Sequence, residues 1–429
     1  MTEYRERTRR RVLMDRARRL AVDVTPLRTS RDFRALWLGE LVSQVGSQIT
    51  VVALFVQVYA MTGSSAAVGV IGLVQLVPMV FVSIGFGPQI DVRDRRRLLL
   101  GAQLGLMVAS LLLLLGAHMG NPPLALVYVA AALNAAFASV ATPTRAAMIP
   151  NLVPVDTYAS AAALNQVMWT SAAVVGPALG GIVVAQLGLT WAYGIDVASF
   201  GAALTAALVV HSQRPVRPDG AEHEGVIAAI LTGFRFLSGK RVLQSTFTVD
   251  IVAMVFGMPR VLFPVLAVEQ FHRGPEVVGW LFSAVAFGAL LGAASSGWVG
   301  GIRRQGLAIL LAVTVWGGAI VLFGLAGDRL WLALVLLAVA GAADVVSAVF
   351  RNAVQQFIVP DDLRGRLTAF NIFVVAGGPR LGDLEGGVVA TLFTPTISVV
   401  SGGLLCLAGV AVIASTVPRF ARWRPGDAP

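Results

Sequence analysis

The chain has 429 residues, 56% of them hydrophobic and only 13% charged, with a mean hydropathy of +0.78. A soluble protein covers its surface with roughly 25% charged residues, so a water-soluble globule is excluded. The net charge of +10 is spread over separate loops and forms no basic domain, which argues against a nucleic-acid partner.

Residues 1–34 are an Arg-rich N-terminal tail. Within it, 9–22 fits a basic amphipathic helix on an anionic membrane surface and equally a disordered cytoplasmic tail. It is not a cleavable signal, because the basic stretch and the apolar run behind it are both too long. Twelve apolar spans follow, at 35–60, 67–87, 98–118, 124–144, 160–186, 189–210, 243–268, 276–299, 306–326, 330–350, 367–392 and 395–417. Each is long enough to cross a hydrocarbon core of roughly 30 Å as a helix, and the 45 glycines suit close packing of membrane helices. The expected fold class is therefore all-α and integral to the membrane.

Charge sets the orientation. Alternate connectors carry Arg93 and Arg95 to Arg97, then Arg214 to Arg241, then Arg303 and Arg304, then Arg364 and Arg366, and Arg419, Arg422 and Arg424 follow the last span. The intervening connectors 61–66, 119–123 and 187–188 have no basic residue. The positive-inside rule places both termini in the cytoplasm of a multi-pass plasma-membrane protein. The polar stretch 211–241 reads as a cytoplasmic linker between two halves, 35–210 and 242–417, with 418–429 as a cytoplasmic tail. His223 between Glu222 and Glu224 reads as a solvated loop rather than a metal site, and the lone Cys406 as a small buried hydrophobe.

An internal repeat supports the division. Arg145, Pro154, Asp156 and Asn165 recur as Arg351, Pro360, Asp362 and Asn371, each 206 positions on (351 − 145). At the same offset Gly176, Gly180 and Gly181 fall on Gly382, Gly386 and Gly387, and Val68-Gly69 matches Val278-Gly279 at a slightly different one. Two pseudo-symmetric halves of six helices each are expected.

Three groups of residues are candidates for function. The loop after the second span runs Gly87-Pro88-Gln89-Ile90-Asp91-Val92-Arg93-Asp94-Arg95-Arg96, with Arg145 on the same side as a partner for Asp91 and Arg351 as its repeat mate. The fifth span holds Gly176-Pro177-Ala178-Leu179-Gly180-Gly181, where proline kinks the helix and the glycines admit a neighbour. Charges inside spans are costly in lipid and therefore mark functional positions. Asp250 and Arg260 on the seventh span and Asp344 on the tenth lead this group, followed by Arg380, Asp383 and Glu385 on the eleventh, with Glu40 and Asp196 less deep. Arg380 and Asp383 are spaced for a local i,i+3 pair.

The first of these stretches resembles the Gly-x-x-x-Asp-(Arg/Lys)-x-Gly-(Arg/Lys)-(Arg/Lys) loop of the major facilitator superfamily, with Val92 and Asp94 as departures. The resemblance covers about residues 30–420 and implies that Gly87, Asp91, Arg95 and Arg96 latch the halves together in the outward-open state. The fifth-span motif resembles that of the superfamily's antiporters, which implies export. Phe33-Arg34-Ala35-Leu36-Trp37, Trp191-Ala192-Tyr193-Gly194, Gly233-Phe234-Arg235-Phe236-Leu237 and Arg260-Val261-Leu262-Phe263-Pro264 resemble the enterobactin-exporter group.

The resulting expectation is a monomeric, proton-coupled exporter of a small amphipathic molecule, a catecholate siderophore before a drug or macrolide. Asp250 and Asp344 would carry protons and Arg260 would hold substrate charge or pair with an acid. Trp169, Tyr193 and Phe200 would line the cavity. Its partners would be the substrate, protons and the bilayer. No cofactor or metal is called for, no phosphate-binding loop for ATP occurs, and the scattered histidines argue against an enzyme. A reading from another class, a non-transporting sensor or scaffold, predicts that Asp250 and Asp344 tolerate alanine.

Overall fold

The structure, a computed structural model, describes residues 23–90, 92–212, 226–360 and 363–427. The N-terminal stretch 9–22, Asp91, the His223 cluster and the Asp361-Asp362 pair of the repeat lie outside the described residues.

Among those residues the architecture is helical throughout. The first half comprises α1 (Arg31–Thr62), α2 (Ser65–Ile90), α3 (Arg95–His118), α4 (Leu124–Leu152), α5 (Tyr158–Leu187) and α6 (Leu189–Val209). After a short amphipathic helix, Val226–Leu237, come α7 (starting as Arg241–Phe256), α8 (Pro275–Ala294), α9 (Gln305–Gly324), α10 (Leu330–Ile358), α11 (Arg364–Leu392) and α12 (Pro395–Thr416). Eleven of the twelve are long and apolar enough to cross a membrane. The twelfth, α11, carries Arg380, Asp383 and Glu385 toward its middle and lower half.

Local chemistry sets the helix ends. The Ser30 hydroxyl accepts from the Phe33 N–H at 3.1 Å to start α1, and Gly63, at φ 60°, ends it, a conformation that costs glycine little. Asp94, which stands where the superfamily loop has glycine, caps α3 by accepting from the Arg96 N–H at 2.9 Å.

The seventh span is not one continuous helix, contrary to the sequence expectation over 243–268. Its α-helical part stops at Phe256 and the chain continues as a 3₁₀ turn, Pro259–Leu262, then a π turn, Leu266–Gln270. Pro259 and Pro264 have no N–H to continue the ladder. At the break, the Trp316 side chain occupies the space where a Cβ on Gly257 would sit. The break turns Arg260 toward α11.

Packing within the halves follows the repeat. In the first, α1 packs on α5 and α6, α2 on α4, and α3 on α4 and α6; in the second, α7 packs on α11 and α12, α8 on α10, and α9 on α10 and α12. Two extensive contacts join the halves, α5 with α8 and α2 with α11, and they are pseudo-equivalent. Each centres on facing glycines. A Cβ on Gly279 would strike the Pro177 carbonyl and lie 3.0 Å from the Gly181 Cα, and one on Gly387 would lie 2.5 Å from the Ser65 carbonyl and 3.1 Å from the Gly69 Cα. Gly181 of the motif and its repeat mate Gly387 therefore meet α8 and α2 at backbone distance, the packing that small residues permit between membrane helices.

Both seams lie toward the ends of these helices remote from the chain termini. There the Tyr59 hydroxyl also donates to Glu269 at 3.0 Å, and the Ala66 N–H donates to the Thr391 hydroxyl at 2.9 Å. Toward the opposite end of α2, a Cβ on Gly85 would have nothing within 4 Å.

Candidate functional site: the cavity against the first half

A cavity of about 300 Å³ lies among α1 to α6, and Arg380 of α11 reaches into it from the second half. Its lining is unusually polar for a membrane protein. Gln44, Gln48, Gln75, Gln103 and Asn134 offer amides, Ser47 and Thr50 hydroxyls, and Trp169 and Phe200 apolar faces.

A buried ion pair holds one wall. The Arg145 guanidinium, on α4, contacts the Glu40 carboxylate of α1 directly. Glu40 also accepts from the Gln103 amide at 2.8 Å, and the Arg145 Cζ stands 5.3 Å from the Trp169 ring centroid, within cation–π reach. Charge burial of this kind is tolerable because each charge meets its opposite directly.

The second half repeats the arrangement with a different stoichiometry. Arg351 Nη2, on α10, lies 2.8 Å from Asp250 Oδ1 of α7 and 3.8 Å from Asp344 Oδ1 of its own helix, and Nη1 donates to the Ser347 hydroxyl at 2.8 Å. The Asp250 contact is electrostatic, since that oxygen lacks hydrogen-bond geometry. Two acids thus share one guanidinium.

Arg260 is neutralised. It grips Asp383 of α11 in a two-pronged fork, Nε to Oδ1 at 2.8 Å and Nη2 to Oδ2 at 2.6 Å, so Asp383 is paired across helices and not with Arg380, as the i,i+3 spacing predicts. Arg380 donates only to the Ala376 carbonyl of its own helix, at 2.6 Å. Its buried Nε has no partner, and no carboxylate among the described residues lies within ion-pair distance of it. With Glu40 and Arg145 cancelling, the cavity carries one uncompensated positive charge.

Several predicted residues fall elsewhere. Gly87 lies in the last turn of α2. Arg95 and Arg96 turn into the first half, Arg95 donating to the Ala147 carbonyl at 2.7 Å and Arg96 to the Ala207 and Leu208 carbonyls at the end of α6, where helix-end carbonyls lack intrahelical donors. Arg145 pairs with Glu40, and Arg351 with Asp250 and Asp344 in the second half. Trp169 and Phe200 line the cavity, but Tyr193 does not; it is fully buried, its hydroxyl donating to Gln57 at 2.6 Å. Gly176, Gly180 and Gly181 form the packing face of α5, against Gln48 and Ile49 of α1 and Pro275 and Glu276 of α8. Glu40, the residue sequence reasoning undervalued, was marked by being a lone acid within an apolar run and by the repeat relation of Arg145 to Arg351. Among the described residues no cluster of three or more His, Cys, Asp or Glu side chains is placed to hold a metal ion.

Two six-helix halves related by a repeat, closed on each other through glycine seams around a polar cavity, define a membrane transporter of the major facilitator type. The chain belongs to the transmembrane secretion effector family, whose model matches residues 21–424. It is 28% identical over 395 residues to the enterobactin exporter EntS of Shigella boydii serotype 18, covering 91% of this chain and 93% of that one. Among solved structures, a bacterial homologue of the human lysosomal transporter Spinster, inward-facing and unoccupied, matches with a TM-score of 0.68 at 14% identity, covering 92% of this chain and 98% of that one. An inward-facing bacterial homologue of the iron transporter ferroportin matches with a TM-score of 0.68 at 15% identity, over 92% and 99%.

Proposed function

We propose that this transporter exports a small anionic amphipathic molecule of the catecholate-siderophore type, by alternating access and in exchange for protons. The observation that carries the substrate class is Arg380. An unpaired guanidinium facing a polar cavity costs free energy unless a ligand brings the counter-charge. A catecholate supplies acceptor oxygens for Arg380 and the surrounding amides and a ring for Trp169 and Phe200, whereas a cationic drug meets like charge. The relationship to enterobactin exporters supports the same class.

Proton coupling is carried by Asp250 and Asp344. Protonation of either carboxylate leaves Arg351 to the other, so the site changes its proton count without stranding a buried charge. The positive-inside charge pattern puts both termini in the cytoplasm. On that orientation the glycine seams close the outer side and the cavity belongs to the inward-facing state, where cytoplasmic substrate enters. Gly87, Asp91, Arg95 and Arg96 would act in the opposite state, when the cytoplasmic ends meet.

The test uses everted membrane vesicles energised by a proton gradient, with a catecholate siderophore and ethidium as separate probes. Gradient-dependent siderophore uptake, lost in Asp250→Asn, is expected. Ethidium uptake alone would replace this reading with that of a multidrug exporter, and uptake of neither by folded protein would remove it.

A further inference from the structure

The mechanism above leaves one buried acid unused. Asp196, on α6, is fully buried, yet none of the ion pairs among the described residues involves it. Its carboxylate is enclosed by hydroxyls from three helices. Thr50 of α1 donates to Oδ2 at 2.7 Å, Ser110 of α3 donates to the same oxygen at 2.6 Å, and Ser199 of its own helix reaches Oδ1 at 3.4 Å. Ser47 of α1 adds a fourth hydroxyl.

Space for this cage is built into α1. A Cβ on Gly46 would collide with the Ser199 hydroxyl and lie 3.0 Å from Asp196 Oδ1, so only glycine leaves room there. Ser47, Thr50, Leu113 and Phe200 line the cavity while Asp196 stands behind them. The two hydroxyls at the wall connect the carboxylate to the cavity.

No other charge competes at the site. On α6 the titratable neighbour is Tyr193, which is bonded to Gln57. On α1, Glu40 lies ten positions before Thr50, about 15 Å along the axis at 1.5 Å per residue, and is held by Arg145; Tyr59 is bonded to Glu269. The ionisable groups of α3, Arg95 to Arg97 and His118, stand at its ends, and that of α5, Tyr158, at its start.

We infer that Asp196 and its hydroxyl cage form a proton-binding site in the first half, loaded and emptied through Ser47 and Thr50 from the cavity. A lone carboxylate in a dry bundle is costly as an anion, and with no cation beside it the economical way to neutralise it is a proton. Hydroxyls serve both forms: they donate to the carboxylate, and on protonation one of them rotates to accept from the new O–H. The proton comes from water in the cavity and returns there, and no other bond changes. The inference extends the proton-coupled reading and assigns it a second proton carrier, in the half opposite Asp250 and Asp344.

Infrared spectroscopy of the purified full chain in lipid tests proton binding without any substrate. A protonated-carboxyl component that titrates with pH, beyond that of Asp250 and Asp344, is expected in the wild type, absent from the Asp196→Asn spectrum, present in Asp196→Glu, and unaltered when sodium replaces choline. A band identical in wild type and Asp196→Asn would overturn the inference, as would a band that does not titrate or one that sodium displaces. If Asp196→Asn fails to fold, Ser110→Ala keeps the acid and removes one donor; a shift in the titration midpoint is expected, and an unmoved midpoint would contradict the site. Transport by the same proteins separates the two ideas. Asp196→Asn is expected to lose gradient-driven siderophore accumulation but keep gradient-free exchange. Retained gradient-driven accumulation would deny Asp196 a coupling role, whereas a titrating band in a protein whose transport ignores the gradient would defeat the proton-coupled reading and leave the proton site standing.

Discussion

The two halves place an arginine at the same repeat position and surround it differently. Arg145 meets one acid, an amide-supported Glu40, and the face of Trp169. Arg351 meets two acids, the deeply buried Asp250 and the partly exposed Asp344. The one-to-one pair forms part of the cavity wall. The two-to-one cluster has one more carboxylate than guanidinium. The repeat position keeps its arginine and changes the number of acids around it.

The largest effect is expected from removing the arginines. Arg351→Ala strands the buried Asp250 together with the partly exposed Asp344, and Arg145→Ala strands Glu40. Breaking a buried pair costs about 3–5 kcal/mol, so thermal unfolding in detergent should show both variants strongly destabilised, Arg351→Ala more so. Equal losses would erase the distinction between the halves.

Next comes a break of the seams that are alike in both halves. Gly279→Val places atoms into Pro177 and Gly181, and Gly69→Val into Asp383 and Gly387. Overpacking costs about 1–3 kcal/mol, enough to depopulate the closed seam about tenfold. Cysteines at Ala66 and Thr391, whose residues are hydrogen-bonded across the seam, should then cross-link with correspondingly lower yield for either variant.

A smaller effect is expected from Asp344→Asn, which makes the second half resemble the first. Its carboxylate is 3.8 Å from Arg351 and its side chain is 30% exposed, so stability should change by less than about 1 kcal/mol. Gradient-driven transport should fall while gradient-free exchange persists.

The smallest concerns a contact of the first half alone. The exposed Asp23 carboxylate accepts from the Thr25 hydroxyl at 2.6 Å, from the Thr25 N–H at 3.0 Å and from the Ser160 hydroxyl of α5 at 2.9 Å. Chiefly through the Thr25 side chain, these bonds hold its pKa below the ordinary aspartate value of 3.8. Because the folded value is depressed, the contribution is present above that value and is lost only as pH falls through the still lower folded one. The protection of the Thr25 amide against hydrogen exchange, relative to its intrinsic rate at each pH, should therefore be unchanged by mild acidification and fall only at strongly acidic pH, or in Asp23→Asn.

Much of this was legible in the sequence. The spans, the repeat and the glycine pairs Gly69 with Gly279 and Gly181 with Gly387 could be read directly, because hydropathy and small residues act locally and recur. Partner choice could not. Glu40 and Arg145 lie 105 positions apart, so only the packing of α1 on α4 joins them. Asp383 went to Arg260 because α7 breaks at Gly257 and Pro259 and turns the arginine toward α11. Arg380 was thereby left free. Asp196 had no charged neighbour in sequence to announce it, and its cage comes from hydroxyls on three helices.

Arg380 is proposed to hold the anionic group of the substrate in the cavity. Equilibrium binding of a catecholate siderophore to purified protein tests it most directly, with wild type against Arg380→Gln. A hydrogen bond to a charged group contributes about 1.5–3 kcal/mol, so a loss of affinity of about ten- to a hundredfold is expected, with ethidium binding not weakened. Unchanged siderophore affinity in a folded Arg380→Gln protein would contradict it.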